Sequence, residues 1–488
     1  MAQTLVVDPI TRLEGHGKIQ IFLNDEGGVR DAYLQIPELR GFEKFCEGRP
    51  IEELPRITPR ICGVCPEAHH MASAKAADAC YRVDPPGAAK KLRELLYNAF
   101  YVGDHATHFY ILAGPDFVVG PTADPAERNI LGLIGKVGVE LGKQVIDARL
   151  SCYEVIEILG GRPVHPVAAI PGGVSKGLDD EERARVQEIA NGAVEFAKLS
   201  LQVFNDVVLG NQEYVDLILS DAFQHQTYYM GLVDENNCVN FYDGMLRTVD
   251  PEGNEINKFG ASDYLEHIGE HVESWSYLKF PYLKQVGWKG LEDGKDSGLY
   301  RVAPLARLNA ADGMATPQAQ AEYERMYETV GGKPCHATLA MHWARLVEML
   351  YSAERMVELI QDEEIVSEEF HAIPTETPGE GMGVVESPRG TLIHHYVPDE
   401  EGMAKKVNLI VGTGHNYGAI CMSIKRAAQA LIVPGTEVSE GLLNMVEMAF
   451  RAYDPCFGCA THALPGQMPL EIEIRDTAGR VVQTLTRG

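Results

Sequence analysis

Two cysteine pairs near opposite ends of the chain constrain its fold more than any other feature of the sequence. The segment RICGVCPEAHH contains Cys62 and Cys65, and the segment DPCFGCATH contains Cys456 and Cys459. A single C-x-x-C pair is compatible with structural zinc, dithiol redox chemistry, iron–sulfur ligation or plain buried cysteine. Two pairs supply the four thiolates that a soft-metal site needs. We therefore expect the fold to bring the two ends of the chain together.

The composition is that of a globular protein with a large excess of acidic residues. The 488 residues are 45% hydrophobic and 23% charged, which is enough apolar sequence for a sizeable core. The formal net charge of −27 argues against nucleic acid or an anionic membrane surface as a partner. No run of about 18 apolar residues and no signal-like start is present, so we expect a soluble chain without a membrane span.

The hydrophobic pattern predicts strands at the start of the chain and mostly helices after it. The segments LVVDP and KIQIFLNDEGGVRDAYLQI have the alternation of strands. Apolar residues at helical spacing predict long helices at roughly 87–113, 125–160, 180–212, 337–363 and 437–453. We expect an α+β fold, mostly α, with a core of long helices and small peripheral β-sheets. The glycine-, proline- and acid-rich segments 225–335 and 364–402 are interpreted as insertions and loops.

Prolines next to the cysteines indicate how each pair is presented. Pro66 follows Cys65 directly and suits the first turn of a helix formed by PEAHHMASAKAADA. Both thiols of this pair then lie at a helix N-terminus, whose positive end favours thiolates. Cys456 follows a helix that should end before Asp454, because the residue before Pro455 avoids the helical conformation.

Both cysteine segments resemble the large subunit of nickel–iron hydrogenases, and the resemblance extends along the chain. Further segments similar to that family are DPITRLEGHGK, RGFEKFCEGRP, GDHATHFY, GGRPVHP, PGGVSK, YRVAPLARLN, ESPRG and LIVGTGHN. RGFEKFCEGRP and the tail after His462 are similar to the soluble, cytoplasmic group that is NAD-linked, electron-bifurcating or associated with heterodisulfide reductase. The resemblance implies the hydrogenase large-subunit fold and a catalytic subunit that cleaves H2 reversibly and heterolytically to protons and electrons.

The resemblance also implies the metal ligands and the route of the electrons. Cys62 and Cys456 would be terminal ligands of nickel, and Cys65 and Cys459 would bridge nickel to an iron that carries one carbonyl and two cyanides. The remaining sequence contains no further ligand cluster for an iron–sulfur relay. The expected partner is therefore an iron–sulfur small subunit, followed by flavin/NAD or heterodisulfide-reductase-like subunits, with NAD(P) as the expected acceptor.

Four residues outside the cysteine pairs are candidates for catalysis. Glu14 in TRLEGH resembles the proton-gate glutamate of the family; the alternative is a surface glutamate after a strand. Arg389 in ESPRG resembles the guanidinium that lies over the open metal position. Asp104 lies one turn after Phe100 on an apolar stripe, so we expect a cationic partner such as Arg389. Asp454 either joins this pair or acts as a turn residue before proline.

Three positions are candidates for supporting the metal centre. His69 lies four residues after Cys65 on the same helix, and it is either a donor to a bridging sulfur or a satisfied core histidine. The Gly412 backbone and Thr413 resemble the family's second cyanide pocket, and Arg389 is the expected donor to the other cyanide.

Glu43, the Leu409 carbonyl and His462 resemble the ligands of a second, hard-cation site, which we expect to hold magnesium or iron. LIVGTGHN departs from the membrane-linked members of the family, because it has glycine at 412 where proline is common and histidine at 415 where tryptophan is common. These changes leave the expected metal ligands intact.

The last 26 residues, 463–488, predict a hairpin. LEIEI alternates, DTAGR has turn composition, and VVQTL follows as a second strand. Such a tail is either a permanent edge strand or, as the resemblance implies, an extension that a maturation endopeptidase removes after nickel insertion. We therefore expect one domain over 1–462 and a removable extension over 463–488.

Two other classes of protein share parts of this pattern. A structural zinc tetrathiolate protein would need the four cysteines but not Glu14, Arg389 and Asp104. A non-catalytic hydrogenase-like scaffold would have the fold without the cysteines, and this chain keeps all four. Metal analysis separates the three cases.

Overall fold

Helices dominate the structure, a computed structural model that describes residues 4–462, 470–476 and 480–487. The α-helices are α1 (Phe42–Cys46), α2 (Leu54–Ile57), α3 (Pro66–Tyr81), α4 (Gly87–Thr107), α5 (Gly114–Val118), α6 (Ile130–Val137), α7 (Val139–Gly160), α8 (Asp180–Phe204), α9 (Gln212–Leu219), α10 (Tyr264–His267), α11 (Pro304–Ala310), α12 (Pro317–Thr329), α13 (Met341–Gln361), α14 (Gly412–Leu431), α15 (Glu440–Arg451) and α16 (Phe457–Ala460). The expectation of a mostly helical α+β fold is confirmed.

The strands are short and form small sheets around the helices. They are β1 (Thr4–Val7), β2 (Lys18–Leu23), β3 (Val29–Gln35), β4 (Ala169–Ile170), β5 (Gly173–Val174), β6 (Tyr228–Val233), β7 (Cys238–Val239), β8 (Met245–Val249), β9 (Glu255–Phe259), β10 (Ile268–His271), β11 (Phe280–Leu283), β12 (Tyr300–Arg301), β13 (Gly313–Met314), β14 (Gly381–Ser387), β15 (Gly390–Pro398), β16 (Ala404–Ile410), β17 (Leu470–Arg475) and β18 (Val481–Arg487). Three sheets matter most for the site: β1-β2-β3, β14-β15-β16, and β13-β7-β6-β8-β9 with β12 beside β6.

Four long helices build the core, as the apolar periodicity predicts. α4 packs against α7 and α13, and α8 packs against α7 and α13. The predicted helix over 125–160 is in fact two helices, α6 and α7, because Gly138 between them has a φ of 89°. π-helical segments continue α4 to Ala113 and α8 to Leu209. The bundle fixes α4, which carries Asp104 toward the cysteines.

The interpretation of 225–335 and 364–402 as loops is wrong for most of both segments, although residues 367–380 are irregular. The first segment contains the sheet built around β6, together with β10, β11, α11 and α12, and the second contains β14 and β15. All six residues of β6 are buried, so the strand shows no alternation of apolar and polar residues. Short strands covered on both faces therefore do not produce the pattern on which strand prediction depends.

The helix that follows the first cysteine pair lies unusually close to a strand. α3 packs directly on β14, and a Cβ built at Gly383 of β14 would collide with the backbone of Ala72 and Ala76 in α3. Alanine and serine on this side of α3 and glycine in β14 therefore allow the two backbones to approach. This packing fixes the position of Cys65 at the start of α3.

At the end of the chain, β17 and β18 pair antiparallel, which confirms the predicted hairpin. Its turn residues 477–479 and the connection 463–469 lie outside the described residues. Within the part of the chain that the structure describes, none of the helices combines the length and apolar composition that a membrane crossing requires.

Candidate metal centre

The fold brings the two cysteine pairs together, as the sequence predicts. The four sulfur atoms lie within 4.8 Å of one another, and all four residues are buried. The sulfur atoms of Cys62 and Cys456 are 3.5 Å apart, and those of Cys65 and Cys459 are 3.9 Å apart. Among the described residues, no other group of three or more His, Cys, Asp or Glu ligand atoms converges in this way.

The spacing of the sulfur atoms fits soft-metal ligation. A disulfide requires a sulfur–sulfur distance of about 2.05 Å, so the four thiols are unbonded. Metal–thiolate bonds of about 2.3 Å at tetrahedral angles place sulfur atoms about 3.8 Å apart. Backbone N–H groups of Val64 and Cys65 each donate to the Cys62 sulfur at 3.2 Å. Hydrogen bonds from the other thiols, that of Cys456 first, lower the pKa of Cys62 well below its usual value.

Glu14 lies against the C-terminal cysteine pair. The backbone at Glu14 forms a parallel β-bridge with that at Cys456. Glu14 N–H donates to the Pro455 carbonyl at 3.3 Å, and Phe457 N–H donates to the Glu14 carbonyl at 3.1 Å. The Cys456 thiol and the Gly458 N–H both donate to carboxylate Oε2 at 3.0 Å. Burial raises the pKa of Glu14. A carboxylate in this position is placed to accept the proton of the Cys456 thiol.

Arg389 forms the buried ion pairs that the sequence predicts for it. Its guanidinium lies 3.3 Å from Asp104 Oδ1 and 2.8 Å from Asp454 Oδ2, and all three side chains are buried. Burial lowers the pKa of Arg389, but the carboxylates of Asp104 and Asp454 outweigh burial and raise it well above its usual value. Burial raises the pKa of Asp454 to about 7. Asp454 also has a φ of 55°, so it serves both as the turn residue and as a partner of Arg389.

The loop that carries Arg389 is held by donors to four consecutive carbonyl groups. Tyr97 and Tyr101 donate to the carbonyl of residue 386, Arg307 donates to those of residues 387 and 388 at 2.7 and 3.2 Å, and Asn416 donates to that of residue 389 at 2.7 Å. Arg307 is itself held by two 2.7 Å bonds to Glu348. Sequence reasoning missed these supporting residues, although Arg307 and Asn416 lie in the family-like segments YRVAPLARLN and LIVGTGHN.

Gly412 and Thr413 lie between this loop and the C-terminal cysteine pair. A Cβ on Gly412 would be 2.9 Å from the Gly390 backbone, so a side chain there would displace the loop. The Thr413 hydroxyl accepts a hydrogen bond from Cys456 N–H at 3.0 Å. The structure thus places both residues beside the thiols, and their role toward a cyanide stays a prediction.

His69 is buried on α3 one turn after Cys65. Its Nδ1 is 3.1 Å from His394 Nε2, whereas its Nε2 has no hydrogen-bond partner in the described part of the chain. Burial lowers the pKa of His69 to about 3, so its ring is neutral. An orphaned ring nitrogen in a dry environment fits a donor to a metal thiolate better than a satisfied core histidine.

The three expected ligands of the second cation do not meet at one point in the structure but take part in two separate contacts. Arg40 Nη2 lies 2.6 Å from Glu43 Oε1 and 3.2 Å from the Leu409 carbonyl, so it brings these two groups together. His462 Nε2 instead lies 2.8 Å from Glu270 Oε1. Sequence reasoning did not single out Arg40 or Glu270, because their roles depend on contacts with distant parts of the chain.

Comparison with known proteins identifies the class to which this site belongs. The sequence profile described as nickel-dependent hydrogenase matches residues 40–129 and 143–462, and one described as HoxL-like matches residues 4–39. The chain belongs to the nickel-dependent hydrogenase family. It is a large subunit of that family and an oxidoreductase that acts on H2, with nickel and iron at its active site.

Individual relatives resemble the chain over nearly its whole length. It is 51% identical to an F420-non-reducing hydrogenase iron-sulfur subunit of Archaeoglobus profundus, over 98% of both chains. It is 38% identical to the NAD-reducing hydrogenase HoxS subunit beta of Cupriavidus necator, over 100% of both chains. A crystal structure of NAD+-reducing [NiFe]-hydrogenase in the H2-reduced state matches with a TM-score of 0.86 and 38% identity, covering 94% of this chain and 99% of that one.

Proposed function

We propose that this chain is the catalytic subunit of a multi-subunit hydrogenase that cleaves H2 reversibly and heterolytically and passes the electrons to an iron–sulfur partner subunit. One observation carries the proposal: the four convergent thiols have a proton acceptor, Glu14, 3.0 Å from the Cys456 sulfur. A structural zinc site needs no such group, and a non-catalytic scaffold needs no thiols. The zinc and scaffold alternatives therefore leave the arrangement unexplained.

The thiols of Cys62, Cys65, Cys456 and Cys459 would hold nickel and iron, with Cys65 and Cys459 as the bridging pair. Soft thiolates suit these metals, and their spacing fits metal–sulfur bonds. When bound, the metals supply the Lewis-acid and redox chemistry that H2 cleavage requires. The carbonyl and cyanide ligands of iron belong to this proposal.

Within this centre, the protein residues handle protons and charge. Glu14 accepts a proton from the Cys456 thiol and carries it away, and the Gly458 N–H holds its carboxylate in position. Glu38 lies near enough for its charge to help raise the pKa of Glu14, and its carboxylate contacts the exposed His16 ring at 3.2 Å.

The Arg389 guanidinium stays protonated beside the thiols, because the carboxylates of Asp104 and Asp454 compensate its buried positive charge. Its planar group would donate to one cyanide, and Gly412 and Thr413 would hold the other.

We propose that Glu43, the Leu409 carbonyl and His462 bind magnesium or a similar ion. The support is that two hard oxygen donors converge, because the Glu43 carboxylate and the Leu409 carbonyl both lie within 3.2 Å of one atom, Arg40 Nη2. Metal analysis checks this site directly: magnesium or iron beyond the active-site metals is expected in the wild type and is lost in Glu43→Gln.

Two electron acceptors are each favoured by an observation. The 38% identity to an NAD-reducing hydrogenase subunit supports NAD(P), reached through flavin-containing subunits in the cytoplasm. The 51% identity to an F420-non-reducing hydrogenase subunit supports an acceptor other than F420, and the alternative that we carry from the sequence is a complex with heterodisulfide-reductase-like partners. Purification of the native complex decides between them: H2-dependent NAD(P) reduction with a flavin subunit favours the first, and copurifying heterodisulfide-reductase-like subunits favour the second.

We propose that a maturation endopeptidase removes residues 463–488 from the single domain 1–462. The family profile ends at residue 462, and the solved NAD+-reducing structure covers 94% of this chain, whereas the match to the Archaeoglobus profundus relative covers 98% of it. Intact-mass measurement on the active, nickel-loaded complex tests this step. Full specific activity in a subunit that still carries the tail would disprove it.

The proposed function is tested by metal content and H2 oxidation together. The complex, purified without oxygen, is expected to contain equal amounts of nickel and iron at the cysteines and to reduce a viologen dye with H2. Zinc in place of both metals, without H2 oxidation, would instead identify a structural tetrathiolate protein.

A further inference from the structure

A ring of buried polar contacts begins and ends on two adjacent residues of α4. The first, Asp104, lies 3.3 Å from the Arg389 guanidinium. The second, His105, has its Nε2 atom 3.0 Å from Oε2 of Glu348 on α13. Glu348 accepts two 2.7 Å hydrogen bonds from Arg307 of α11. Arg307 in turn donates to the carbonyl groups of the two residues that precede Arg389, at 2.7 and 3.2 Å, which closes the ring.

The three residues that link α4 to the Arg389 loop form a rigid connection. His105, Glu348 and Arg307 are all completely buried. Burial raises the pKa of Glu348, but the charge and hydrogen bonds of Arg307 outweigh burial and lower it below its usual value, so the pair is ionised. Two parallel hydrogen bonds between a guanidinium and a carboxylate fix the relative orientation of both planar groups. The other edge of the same guanidinium then holds the loop.

Arg389 depends on such a connection because its side chain is long and has several rotatable bonds. Ordering a side chain of this kind costs conformational entropy, and Asp104 and Asp454 hold its far end. A shift of its backbone would move the guanidinium relative to the thiols. We propose that Arg307 and Glu348 are positioning residues that act on turnover through Arg389, by holding its backbone in place relative to α4. This inference rests on the proposed function, because it requires the role of Arg389 at the metal centre.

The alternative is a purely structural ion pair between two helices of the core. A double-mutant cycle separates the two roles: Arg307→Lys is made in the wild type and in Arg389→Lys. If Arg307 acts through Arg389, its effect disappears once the planar fork at 389 is gone, whereas a general loss of structure lowers the rate equally in both backgrounds. The readout is the rate of H2-dependent dye reduction per bound nickel in the purified multi-subunit complex.

Arg93 is the matched control for Arg307. It is 1% exposed, contacts both carboxylate oxygens of Asp78, and donates to the backbone carbonyl groups of Ile170 and Gly173. Arg93→Lys therefore also removes a buried guanidinium that holds a carboxylate and a loop, but this loop does not carry Arg389.

We expect Arg307→Lys to lower the rate per nickel by about 10- to 100-fold in the wild-type background and by no more than about twofold in Arg389→Lys. Arg93→Lys should change the rate by the same factor in both backgrounds, within about twofold. Glu348→Asp keeps the negative charge but shortens the connection by a methylene group. It should therefore reproduce the pattern of Arg307→Lys, and it decides the question by the same criteria if Arg307→Lys does not fold.

An equal loss of rate in both backgrounds, or no loss in either, would overturn the inference. Loss of nickel from Arg307→Lys but not from Arg93→Lys would also overturn it, because a residue that acts only through Arg389 leaves the cysteines intact. A wild-type complex without nickel and iron would overturn the proposed function and this inference with it. The metal content of the wild type thus distinguishes failure of the positioning role from failure of the proposed function.

Discussion

The two halves of the thiol cluster are built in different ways. Cys62 and Cys65 precede α3, a helix of 16 residues that packs closely on β14. Cys456 and Cys459 lie in a turn around α16, a helix of only four residues. A long helix fixed on a sheet positions its N-terminus by itself, whereas a four-residue helix has little stability of its own. The N-terminal half of the site is therefore a preformed scaffold, and the C-terminal half depends on its neighbours.

Those neighbours come from distant parts of the chain. Glu14 pairs with the backbone on both sides of Cys456, Thr413 accepts from Cys456 N–H, and Arg40 Nε donates to the Thr461 carbonyl at 2.8 Å across 421 residues of sequence. Each such contact closes a long loop at an entropic cost, and the four-residue helix between them adds little stability of its own. This difference suits a centre into which metals are inserted before the C-terminal half closes.

The largest effect is expected from loss of a single sulfur in either half. Cys62→Ser, Cys65→Ser, Cys456→Ser and Cys459→Ser should each abolish H2 oxidation and nickel retention, because a hydroxyl is a harder and poorer ligand. Cys152→Ser is the matched control, since Cys152 is buried on α7 outside the four-sulfur group. Nickel content and H2-dependent dye reduction measure the result. Normal activity in one of the four variants would remove that sulfur from the ligand set.

Replacement of the proton acceptor should affect catalysis without loss of the metals. We expect Glu14→Gln to slow H2/D+ exchange by about 10²–10⁴-fold, because the amide fills the same volume but cannot carry the proton. Glu154→Gln, at a surface ion pair with Arg185, is the control and should be unaffected. Isotope exchange followed by mass spectrometry measures both. Exchange at the wild-type rate in Glu14→Gln would show that protons leave by another group.

Arg389 spans the two halves, because it pairs with Asp104 of the bundle and with Asp454 of the C-terminal turn. Arg389→Lys should keep both metals and lower turnover by about 10²–10³-fold, since an ammonium group does not reproduce the planar fork. Arg355→Lys, which alters a partly exposed ion pair with Glu94, should leave turnover unchanged. A near-normal rate in Arg389→Lys would reduce Arg389 to a structural partner of the two aspartates.

The sequence predicted those parts of the site that lie in short, distinctive segments. The four cysteines, the Arg389–Asp104 contact and the position of Glu14 could be inferred because motifs contain them. The long helices were recognised because their apolar residues recur at helical spacing. Their ends were less accurate: the predicted helix over 437–453 is α15, Glu440–Arg451.

The parts that were missed are held by contacts between segments far apart in sequence. Arg307, Asn416 and Arg40 lie in family-like segments, but their partners cannot be inferred from spacing. The hydrogen bond from Asn416 to the Arg389 carbonyl joins the start of α14 to the ESPRG loop. The sheet around β6 was missed for a different reason, since both of its faces are covered and the strands are short. Local pattern carries no information on either kind of feature.

Crowding the preformed half should destabilise it. In Gly383→Ala, the new methyl group would overlap the backbone of Ala72 and Ala76, so we expect a loss of about 1–3 kcal/mol in unfolding free energy and a lower nickel content. Gly192→Ala is the control, because Gly192 is exposed on α8 with open space around its Cα, and alanine there should stabilise by up to about 1 kcal/mol. Thermal unfolding measures both. Equal stability of the two variants would contradict close packing of α3 on β14.

The smallest and most selective effect is expected in the dependent half, from Thr413→Val. This change keeps the shape of the side chain but removes the acceptor of the Cys456 N–H, which is then buried without a partner at a cost of about 1–3 kcal/mol. If this loss of stability lowers the free energy of local opening around Cys456, amide exchange there should become roughly 5- to 150-fold faster. Exchange around Cys65 should not change, because α3 is fixed on β14 independently. Thr413→Ser restores the hydroxyl and should restore slow exchange. Hydrogen-exchange mass spectrometry on peptides from both segments measures the contrast, and equal acceleration in the two segments would show that the halves open as one unit.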